Sequence, residues 1–435
     1  MEIIWWNLFE NCETFSGQIQ SFESAQKTVK IKCKDFDNAA EFENLLINAI
    51  AEGKGPDIFS IKNTKVAKHR GKISPAPNSI FPAAEFKNTF FAVAADDLIF
   101  ENKVYAAPLY IDTLALYFNK KVFRDNLPSS DRPAKTWEKL KEQVYGLTKK
   151  DNSIERFSLS GIALGRADNI SLAVDILQLL FLQFQTQFYE NKKAVFADQQ
   201  GTFEGTGKAF YRGREALQLF TSFAIPSWKN YSWNLLITAF DGAKKEIGAF
   251  VRGKTAMIFG YSSLYENLKT EIEAAQKAQK TNLKISDIDI APAPQLLDPA
   301  ESGRQDSFAN YYALAVSRNS SNAPTAWKFL KFLTSAQSLQ DFHEKTHRPT
   351  SRKDMAETQI SENLFGIFAS QASFAKSLAT YDDEDFYQIF KTAIDEVVKS
   401  KSSISDALNL AQKRMNCVLE KFFQKGSFDE NCAEI

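Results

Sequence analysis

Histidine and cysteine, the side chains that most often hold transition metals in proteins, are scarce in this sequence of 435 residues. Only three histidines are present, and although His343 and His347 are spaced by one helical turn, no His-Glu-x-x-His pattern surrounds them. We therefore predict no metal site and no cofactor. The cysteines are too few for a disulfide scaffold and lack a zinc-ligand spacing; they are Cys12, Cys33, Cys417 and Cys432. We interpret them as four separate thiols, with a Cys417–Cys432 bridge as the alternative.

A net charge is also missing, because 53 lysine and arginine residues balance 53 aspartate and glutamate residues. Proteins that bind nucleic acid or an anionic membrane surface usually carry a basic excess. The balance therefore argues against nucleic acid as a partner.

Long apolar segments are absent as well, since a membrane-spanning helix needs roughly 20 apolar residues in succession. The most apolar stretch, 172–184, is interrupted by Asp175, Gln178 and Gln183, and it predicts a buried helix. The first residues already have the pattern of a strand, without the basic and apolar regions of an export signal. We expect a mature exported chain without its signal segment, with a cytosolic protein as the alternative.

Motifs of catalytic sites are lacking too. No serine lies in a Gly-x-Ser-x-Gly motif. Residues 201–208 loosely resemble a phosphate-binding loop, but the spacing is wrong and Ala209 replaces the Ser or Thr that would hold magnesium. The acidic run 382–385 is better explained as the solvated start of a helix than as a calcium site. We predict that the protein is not an enzyme and has no catalytic residues. A glycoside-processing enzyme is the rival, because carboxylates are plentiful.

What the sequence does contain is an alternation of strands and amphipathic helices. Residues 29–34 alternate apolar and polar side chains as a strand does, 39–52 have a helical pattern that ends at Gly53, and 58–61 form another strand. Such alternation predicts an α/β fold with mainly parallel sheets. Because single cores rarely grow beyond about 300 residues, a chain of this length predicts two lobes.

Several tryptophans and tyrosines lie at the ends of predicted strands or in loops beside them. Trp6 ends the first strand, Tyr261 follows a later strand and Tyr311 begins another, while Trp228 and Trp233 share a loop. In open α/β sheets, ligands bind at the carboxyl ends of the strands. An aromatic ring there suits the C–H face of a sugar, while carboxylates and amides bind its hydroxyls. We predict that these aromatic residues contact a ligand.

Six short segments, taken in order, resemble family 1 of the extracellular solute-binding proteins, the group that includes maltose-binding protein. The first three are the helix at 15–23, Gly-Pro-Asp-Ile at 55–58, and 105–120, which is similar to the family's segment that crosses between lobes. The others are Thr-Trp-Glu at 136–138, the Phe-x-x-Gly-x-x-Ala-Met motif at 250–257 and the helix at 323–333. The resemblance covers nearly the whole chain.

This resemblance implies a two-lobed class II periplasmic-binding-protein fold, in which each lobe holds a mainly parallel sheet flanked by helices. It assigns residues 1–111 and 311–349 to lobe I and residues 112–310 and 350–435 to lobe II. The crossings between lobes are expected near 110–113, 310–312 and 348–351. The resemblance also implies that a ligand lies between the lobes, which close around it by a hinge motion.

The same resemblance supplies candidate ligand-binding residues. Asp112 occupies the position of an acid that the family places at the hinge, with a structural hydrogen bond as the alternative role. The segment after Met257 and the loops after predicted strands supply others. With the aromatic residues, the predicted set is Trp6, Asn7, Glu13, Asn63, Asp112, Asn169, Trp228, Trp233, Gly260, Tyr261, Ser262 and Tyr311. Residues 61–64 lack the aromatic and acidic pair of the maltose-type receptors, so the identity of the solute stays open.

The resemblance implies the receptor of a bacterial ABC importer, which captures a small polar solute and delivers it to membrane permease subunits. A carbohydrate is the first choice of solute, and a polyamine, a peptide or a polyol phosphate is the alternative. A scaffold or adhesion protein without a small ligand is a third hypothesis. We expect a monomer outside the cytoplasm, either in the periplasm or tethered to the cell surface as a lipoprotein.

Overall fold

Two compact units make up the part of the chain that the computed structural model describes, which is residues 1–127, 129–151, 156–202, 207, 209–239 and 245–423. Unit 1 consists of Met1–Thr113 and Ala309–Tyr381, and unit 2 consists of Leu114–Phe308 and the chain from Asp382 onward. Each unit is therefore assembled from two separate stretches of sequence.

The strands and helices of the described residues are numbered in chain order. The strands are β1 Glu2–Leu8, β2 Lys30–Phe36, β3 Ile58–Lys62, β4 Ile99–Phe100, β5 Lys103–Val104, β6 Ala107–Pro108, β7 Ala115–Asn119, β8 Lys149–Asp151, β9 Arg156–Leu159, β10 Tyr189–Glu190, β11 Lys193–Ala194, β12 Gln200–Thr202, β13 Ala209–Tyr211, β14 Met257–Gly260, β15 Ile288–Pro292, β16 Ser307–Phe308, β17 Tyr312–Val316 and β18 Ala375–Lys376. The α-helices are α1 Ser16–Ala25, α2 Ala39–Ala51, α3 Val66–His69, α4 Ala83–Thr89, α5 Ala92–Leu98, α6 Lys120–Asn126, α7 Trp137–Leu147, α8 Ala173–Gln183, α9 Arg212–Ser222, α10 Leu236–Ala239, α11 Glu246–Val251, α12 Leu264–Lys277, α13 Pro299–Ser302, α14 Ala323–Leu333, α15 Ala336–Thr346, α16 Lys353–Ile360, α17 Gly366–Ala372, α18 Asp383–Val398 and α19 Ile404–Phe423. Short 3-10 helices are Cys12–Phe15, Asn63–Lys65, Arg70–Lys72 and Ile285–Asp287.

Five strands form the main sheet of unit 1, in the order β2-β1-β3-β17-β6. β1 runs parallel to β2 and β3, because α1 and α2 carry the chain from the end of one strand back to the start of the next. β17 runs antiparallel to both of its neighbours, and Tyr312 at its start pairs with Lys62 at the end of β3. The carboxyl ends of β1 and β3 and the start of β17 thus meet at one end of the sheet, here called the unit 1 edge.

Trp5 anchors the core beneath this sheet. The alternation along β1 buries Ile3 and Trp5 completely. The Trp5 ring packs edge-on against Phe15 and Phe329, at centroid distances of 4.9 and 5.9 Å. Phe329 belongs to the buried face of α14, so one aromatic cluster holds the first strand, the turn after it and this late helix together.

The main sheet of unit 2 has three strands in the order β14-β7-β15, and β7 runs antiparallel to both neighbours. This differs from the predicted mainly parallel sheet, and the reason is connectivity. α12 links β14 to β15, which run in the same direction, whereas β7 comes from the start of the unit and lies between them in the opposite direction. The carboxyl ends of β14 and β15 both pair with Ala115, and we call this end of the sheet the unit 2 edge.

The predicted apolar helix is α8, which contacts α9 and α18, while α19 contacts α9 and α18. Almost every residue of α8 is buried. The rings that meet around this bundle are Phe181, Phe188, Phe196 and Phe390. Among the described residues, no helix combines the length and the apolar character needed to cross a membrane.

The third boundary between the units lies later than predicted. The predicted division gives residues 350–381 to lobe II, whereas the structure places them in unit 1. The reason is packing, because Met355, Ala356, Ala372 and Ala375 belong to the hydrophobic core of unit 1. The other two boundaries, after Thr113 and before Ala309, lie two residues from the predicted positions.

A disulfide joins Cys12 to Cys33, so the interpretation of four separate thiols is wrong. The two cysteines are 21 residues apart, and their Cα atoms lie 5.9 Å from one another. The parallel pairing of β1 with β2 brings them together, which their spacing alone could not show. Cys417 is also disulfide-bonded. Cys432 lies outside the described residues, and the Cys417–Cys432 bridge stays a prediction.

The acidic run 382–385 begins a helix, as predicted. Asp382 is the N-cap of α18, and its carboxylate accepts hydrogen bonds from the backbone N–H groups of Glu384 and Asp385. Of the segment that resembles a phosphate loop, Gly201 and Thr202 lie in β12, which pairs with β13. Residues 203–206 and 208 of that segment lie outside the described residues.

Candidate functional site

Phe9 and Tyr312 form an aromatic pair at the unit 1 edge. Phe9 follows β1 with a φ of 70°, a left-handed conformation that favours glycine, and it is 48% exposed. Its ring meets the ring of Tyr312 edge-on, at a centroid distance of 5.2 Å. A bulky residue held in this conformation at the carboxyl end of a strand is a candidate ligand contact.

Three charged side chains next to this pair, Glu10, Asp112 and Arg348, form what we call the charge cluster. Nε and Nη2 of Arg348 lie 2.8 and 2.7 Å from Oε1 of Glu10, and its Nη1 lies 2.9 Å from Oδ2 of Asp112. The guanidinium carbon lies 4.9 Å from the ring centroid of Tyr110. The Tyr110 hydroxyl in turn accepts the backbone N–H of Tyr312 at 3.4 Å. Tyr110 therefore links the charge cluster to the aromatic pair.

The charge cluster is largely buried, with side-chain exposures of 15% for Glu10, 2% for Asp112 and 13% for Arg348. Burial alone would lower the pKa of Arg348, but its electrostatic interactions with Tyr110 and the two acids outweigh burial and raise that pKa. Arg348 therefore stays charged. Asp112, the predicted hinge acid, is paired with a cation of the protein itself.

Asn63 and Tyr311, two predicted ligand contacts, are buried and bind Asp97. The Asn63 amide and the Tyr311 hydroxyl each donate to Oδ2 of Asp97 at 2.9 Å, and the Ser377 hydroxyl donates to its Oδ1. Burial raises the pKa of the Asp97 carboxyl, although these three hydrogen bonds partly offset the effect. We call these four residues the Asp97 network. It ties four chain segments of unit 1 together behind the unit 1 edge.

The other predicted residues near the end of β1 differ in accessibility. Trp6 is half-buried, and the ammonium of Lys34 lies over its ring, 5.4 Å from the centroid. Asn7 is buried and donates to the carbonyl of Glu10 at 2.5 Å, which shapes the turn that carries the charge cluster. Glu13 is exposed in the 3-10 turn that follows. Trp6 and Glu13 are thus accessible to a ligand, whereas the buried Asn7 holds the backbone of Glu10 in position.

Tyr261, a predicted ligand contact, lies at the unit 2 edge and is partly accessible. It follows Gly260, the last residue of β14, where a Cβ would collide with a leucine of α12. The Tyr261 hydroxyl donates to Oδ2 of Asp175 at 2.6 Å, and its carbonyl accepts from the hydroxyl of Tyr117 at 2.8 Å. Ser262 is buried. The half-buried ring of Tyr261 is therefore held from both ends.

Asn169 and Trp233 are buried against each other inside unit 2. Nε1 of Trp233 donates to Oδ1 of Asn169 at 2.8 Å, and the Asn169 amide donates to the carbonyl of Asn234 at 3.2 Å. Trp233 has no exposed surface. The ring is part of the core of unit 2, and its predicted contact with a ligand stays a prediction.

Trp228, which is 39% exposed, lines a different region from Tyr261. It borders a cavity of about 1060 Å3 within unit 2, together with Trp137, Gln183, Arg212 and Gln295. Trp137 and Gln183 are committed to each other, because Nε1 of Trp137 donates to the Gln183 amide oxygen at 2.7 Å. Tyr261 is not among the residues that line this cavity, although the sequence predicts both Trp228 and Tyr261 as contacts of one ligand.

The two histidines spaced by one helical turn contact other side chains and the backbone. Nδ1 of His343 lies 2.7 Å from the carbonyl oxygen of Arg348, and its Nε2 lies 2.7 Å from Oε1 of Glu362. The ring of His347 stacks on that of Phe365 at 4.8 Å. Among the described residues, the one cluster with metal-ligand spacing contains Cys12 and Cys33, whose sulfurs form the disulfide.

Sequence reasoning missed Phe9, Glu10, Arg348 and Asp97. Phe9 and Glu10 directly follow a predicted strand, and this position could have identified them. Nothing local marks Arg348, because its partners Glu10 and Asp112 lie 338 and 236 residues away in the chain.

A family model described as bacterial extracellular solute-binding protein matches residues 17–367. The chain belongs to this family. The predicted membership is thereby confirmed, and the extracellular solute-binding proteins are a family of binding proteins that act outside the cytoplasm.

Among curated proteins, this solute-binding protein is similar to the maltotriose-binding protein of Pyrococcus abyssi (strain GE5 / Orsay). The two are 27% identical over 146 residues, which cover 32% of this chain and 29% of that protein. The match thus spans less than a third of the relative's length.

Solved structures of other binding proteins share the fold over almost the full length. The GacH receptor of Streptomyces glaucescens, determined without ligand and with acarbose, has a TM-score of 0.70 at 18% identity and covers 96% of this chain and 98% of its own. The sugar-binding protein MalE of Xanthomonas citri has a TM-score of 0.70 at 17% identity, with 97% and 98% covered. The cyclic α-maltosyl-1,6-maltose binding protein of Arthrobacter globiformis reaches 0.71 at 16% identity, with 97% and 99% covered. These likenesses confirm the two-lobed α/β fold of this solute-binding protein.

Proposed function

We propose that this solute-binding protein is the receptor of an ABC importer, that it captures a carbohydrate, and that it delivers the sugar unchanged to membrane permease subunits. The protein acts as a monomer, either in the periplasm or tethered to the cell surface. Family membership supports the role of receptor. The relatives are named for, or were determined with, maltotriose, acarbose and a cyclic maltosaccharide, which supports a carbohydrate as the solute.

The observation that carries the choice of a sugar is the aromatic pair Phe9–Tyr312 beside the charge cluster at the unit 1 edge. A sugar ring has an apolar C–H face, which packs on aromatic rings, and a rim of hydroxyls, which bind carboxylates. The unit 1 edge offers both kinds of group within one short stretch, because Glu10 directly follows Phe9. Tyr261, whose hydroxyl is fixed by Asp175, offers a second aromatic surface of the same kind at the unit 2 edge.

Isothermal titration calorimetry against a solute panel tests this proposal. We expect binding of maltotriose or a related glucan, and no binding of putrescine, spermidine or dipeptides. Tyr312→Ala and Tyr261→Ala should each weaken the sugar by about tenfold or more, equal to 1.4 kcal/mol. Tyr145→Ala is the matched control, because Tyr145 is a 57% exposed tyrosine on α7 outside both edges, and it should bind as the wild type does.

Two further measurements separate the rivals. Chromatography of the sugar after long incubation should return it intact, whereas hydrolysis would establish a glycoside-processing enzyme. Small-angle X-ray scattering should show compaction on addition of the sugar, as the resemblance implies for a hinged receptor. Binding of a peptide or a polyamine, without binding of sugars, would support the role of receptor and contradict the proposal that the solute is a carbohydrate.

A further inference from the structure

We propose that Arg348 is a specificity-determining residue: its guanidinium occupies Glu10 and Asp112 and so denies this acid pair to cationic solutes, which leaves the unit 1 edge selective for neutral ones. This inference rests on the proposed function, because it assumes that the unit 1 edge contacts the solute. It names the property that separates the solute from the polyamines, which are the main non-sugar alternative.

The acid pair would otherwise suit an ammonium group. Glu10 and Asp112 converge on one guanidinium within 2.9 Å, so a cation of similar size placed between them would meet two carboxylates at once. A carboxylate that is only 2% exposed, as in Asp112, strongly favours a partner of opposite charge. Two converging acids beside the exposed ring of Phe9 and the half-buried ring of Tyr312 are the kind of environment that attracts an amine.

Arg348 is fixed in its place by the backbone as well as by its side chain. The residues after it pair with the segment that carries Asp112: the N–H of Ile111 donates to the carbonyl of Pro349 at 3.3 Å, and Thr350 forms a bridge with Tyr110. The guanidinium also stacks on the Tyr110 ring. An amine in solution would therefore have to displace a cation that is held permanently beside both acids.

A guanidinium suits this role better than an ammonium. It presents several N–H groups in a planar fork and can serve two carboxylates together, as Arg348 does with three donor atoms. With the cation supplied by the protein, the remaining hydrogen-bonding capacity at the edge suits hydroxyl groups. Selectivity then arises from making the wrong solute unfavourable as well as from attracting the right one.

The test compares wild type, Arg348→Gln, Arg348→Lys and the double variant Glu10→Gln/Arg348→Gln, with putrescine and maltotriose as probes in calorimetry. We expect putrescine binding by wild type to be too weak to detect. Arg348→Gln should bind putrescine with an affinity at least about tenfold above that detection limit. Arg348→Lys, which keeps the positive charge, should again exclude putrescine. The double variant removes one of the two acids and should lose most of the gain. A folded Arg348→Gln protein that binds putrescine no better than wild type overturns the inference.

Arg348→Gln loses a buried cation, so its folding is checked by circular dichroism and thermal melting. If Arg348→Gln is unfolded without ligand, its thermal melting is measured in excess putrescine. We then expect a cooperative transition, because a ligand that binds the folded state stabilises it. Absence of rescue by putrescine, with normal folding of the double variant, overturns the inference. Failure of the proposed function is a separate result, because it would appear as a wild-type protein that binds no sugar, whatever the variants do with putrescine.

Discussion

Oδ2 of Asp112 lies 2.9 Å from Nη1 of Arg348, so the acid at the first crossing of the chain is neutralised by a residue 236 positions later. The same guanidinium binds Glu10 in the turn after β1. Three remote segments of unit 1 therefore depend on one cation. The role of Asp112 in the structure is to hold Arg348, and its role towards a ligand as the predicted hinge acid stays a prediction.

This relationship predicts an asymmetric response to substitution. Arg348→Met removes the cation and leaves two largely buried acids facing each other, which should lower the free energy of unfolding by about 3–5 kcal/mol. Lys30→Met, which breaks the exposed pair with Glu23, should cost less than about 1 kcal/mol. Urea unfolding at neutral pH measures both. Equal losses for the two variants would show that burial adds nothing to the charge cluster.

Phe9 should separate stability from binding. Its φ of 70° is unfavourable for any side chain, so Phe9→Gly should be more stable than Phe9→Ala by about 1 kcal/mol in urea unfolding. Both variants lose the ring that meets Tyr312, and both should bind the sugar about tenfold more weakly in calorimetry. If both bind as tightly as the wild type, Phe9 is not part of the binding site.

The Asp97 network predicts a specific pH dependence. Because the pKa of Asp97 is raised in the folded protein, this group stabilises the fold fully below the ordinary carboxyl value near 3.9, and its contribution is lost as pH rises through the raised pKa. Asp97→Asn cannot ionise, so its stability relative to wild type should improve as pH rises from about 4 and become constant above the raised pKa of Asp97.

The comparison is made by urea unfolding at several pH values. Asp96→Asn is the matched control, because Asp96 is the exposed neighbour on the same helix. We expect its difference from wild type to change much less with pH. A constant difference between Asp97→Asn and wild type across this range would contradict the raised pKa.

Removing the Cys12–Cys33 bridge should destabilise the protein measurably. The bridge closes a loop of 21 residues, and the chain entropy that it removes from the unfolded state corresponds to about 3 kcal/mol. The double substitution to serine isolates this effect better than a reductant does, because Cys417 is also disulfide-bonded. Urea unfolding under oxidising conditions gives the difference, and a loss below about 1 kcal/mol would mean that the unfolded state is already constrained there.

Local pattern was sufficient for much of the fold. The predicted helix 39–52 is observed as Ala39–Ala51, and the predicted strand 58–61 is observed as Ile58–Lys62. Periodicity succeeds in these cases because it records which face of an element is buried. Periodicity does not show where the chain changes units: residues 105–120 contain β6 and β7 as separate strands, since the chain leaves unit 1 between them after Thr113.

The candidate site was harder to predict, because its geometry depends on contacts between distant residues. An aromatic residue in a loop has the same local pattern whether it is buried, as Trp233 is, or half-exposed, as Tyr261 is. The pairing of Asp112 with Arg348 and the bridge between Cys12 and Cys33 have no local signal at all. The resemblance pointed to the right segments, but packing decides which side chain of each segment remains accessible.

Because each unit is built from two separate stretches of the chain, neither unit can fold completely until late in synthesis. The last core residues of unit 1 come from α16, α17 and the segment that follows them. The core of unit 2 is incomplete until α18 and α19 have been synthesised and pack on α8 and α9. A ribosome that has released the first 308 residues has therefore completed neither unit, although most of unit 2 has been synthesised. Every shortened chain that stops before Ala375 lacks part of both cores, so neither unit can complete its core until translation has passed this residue.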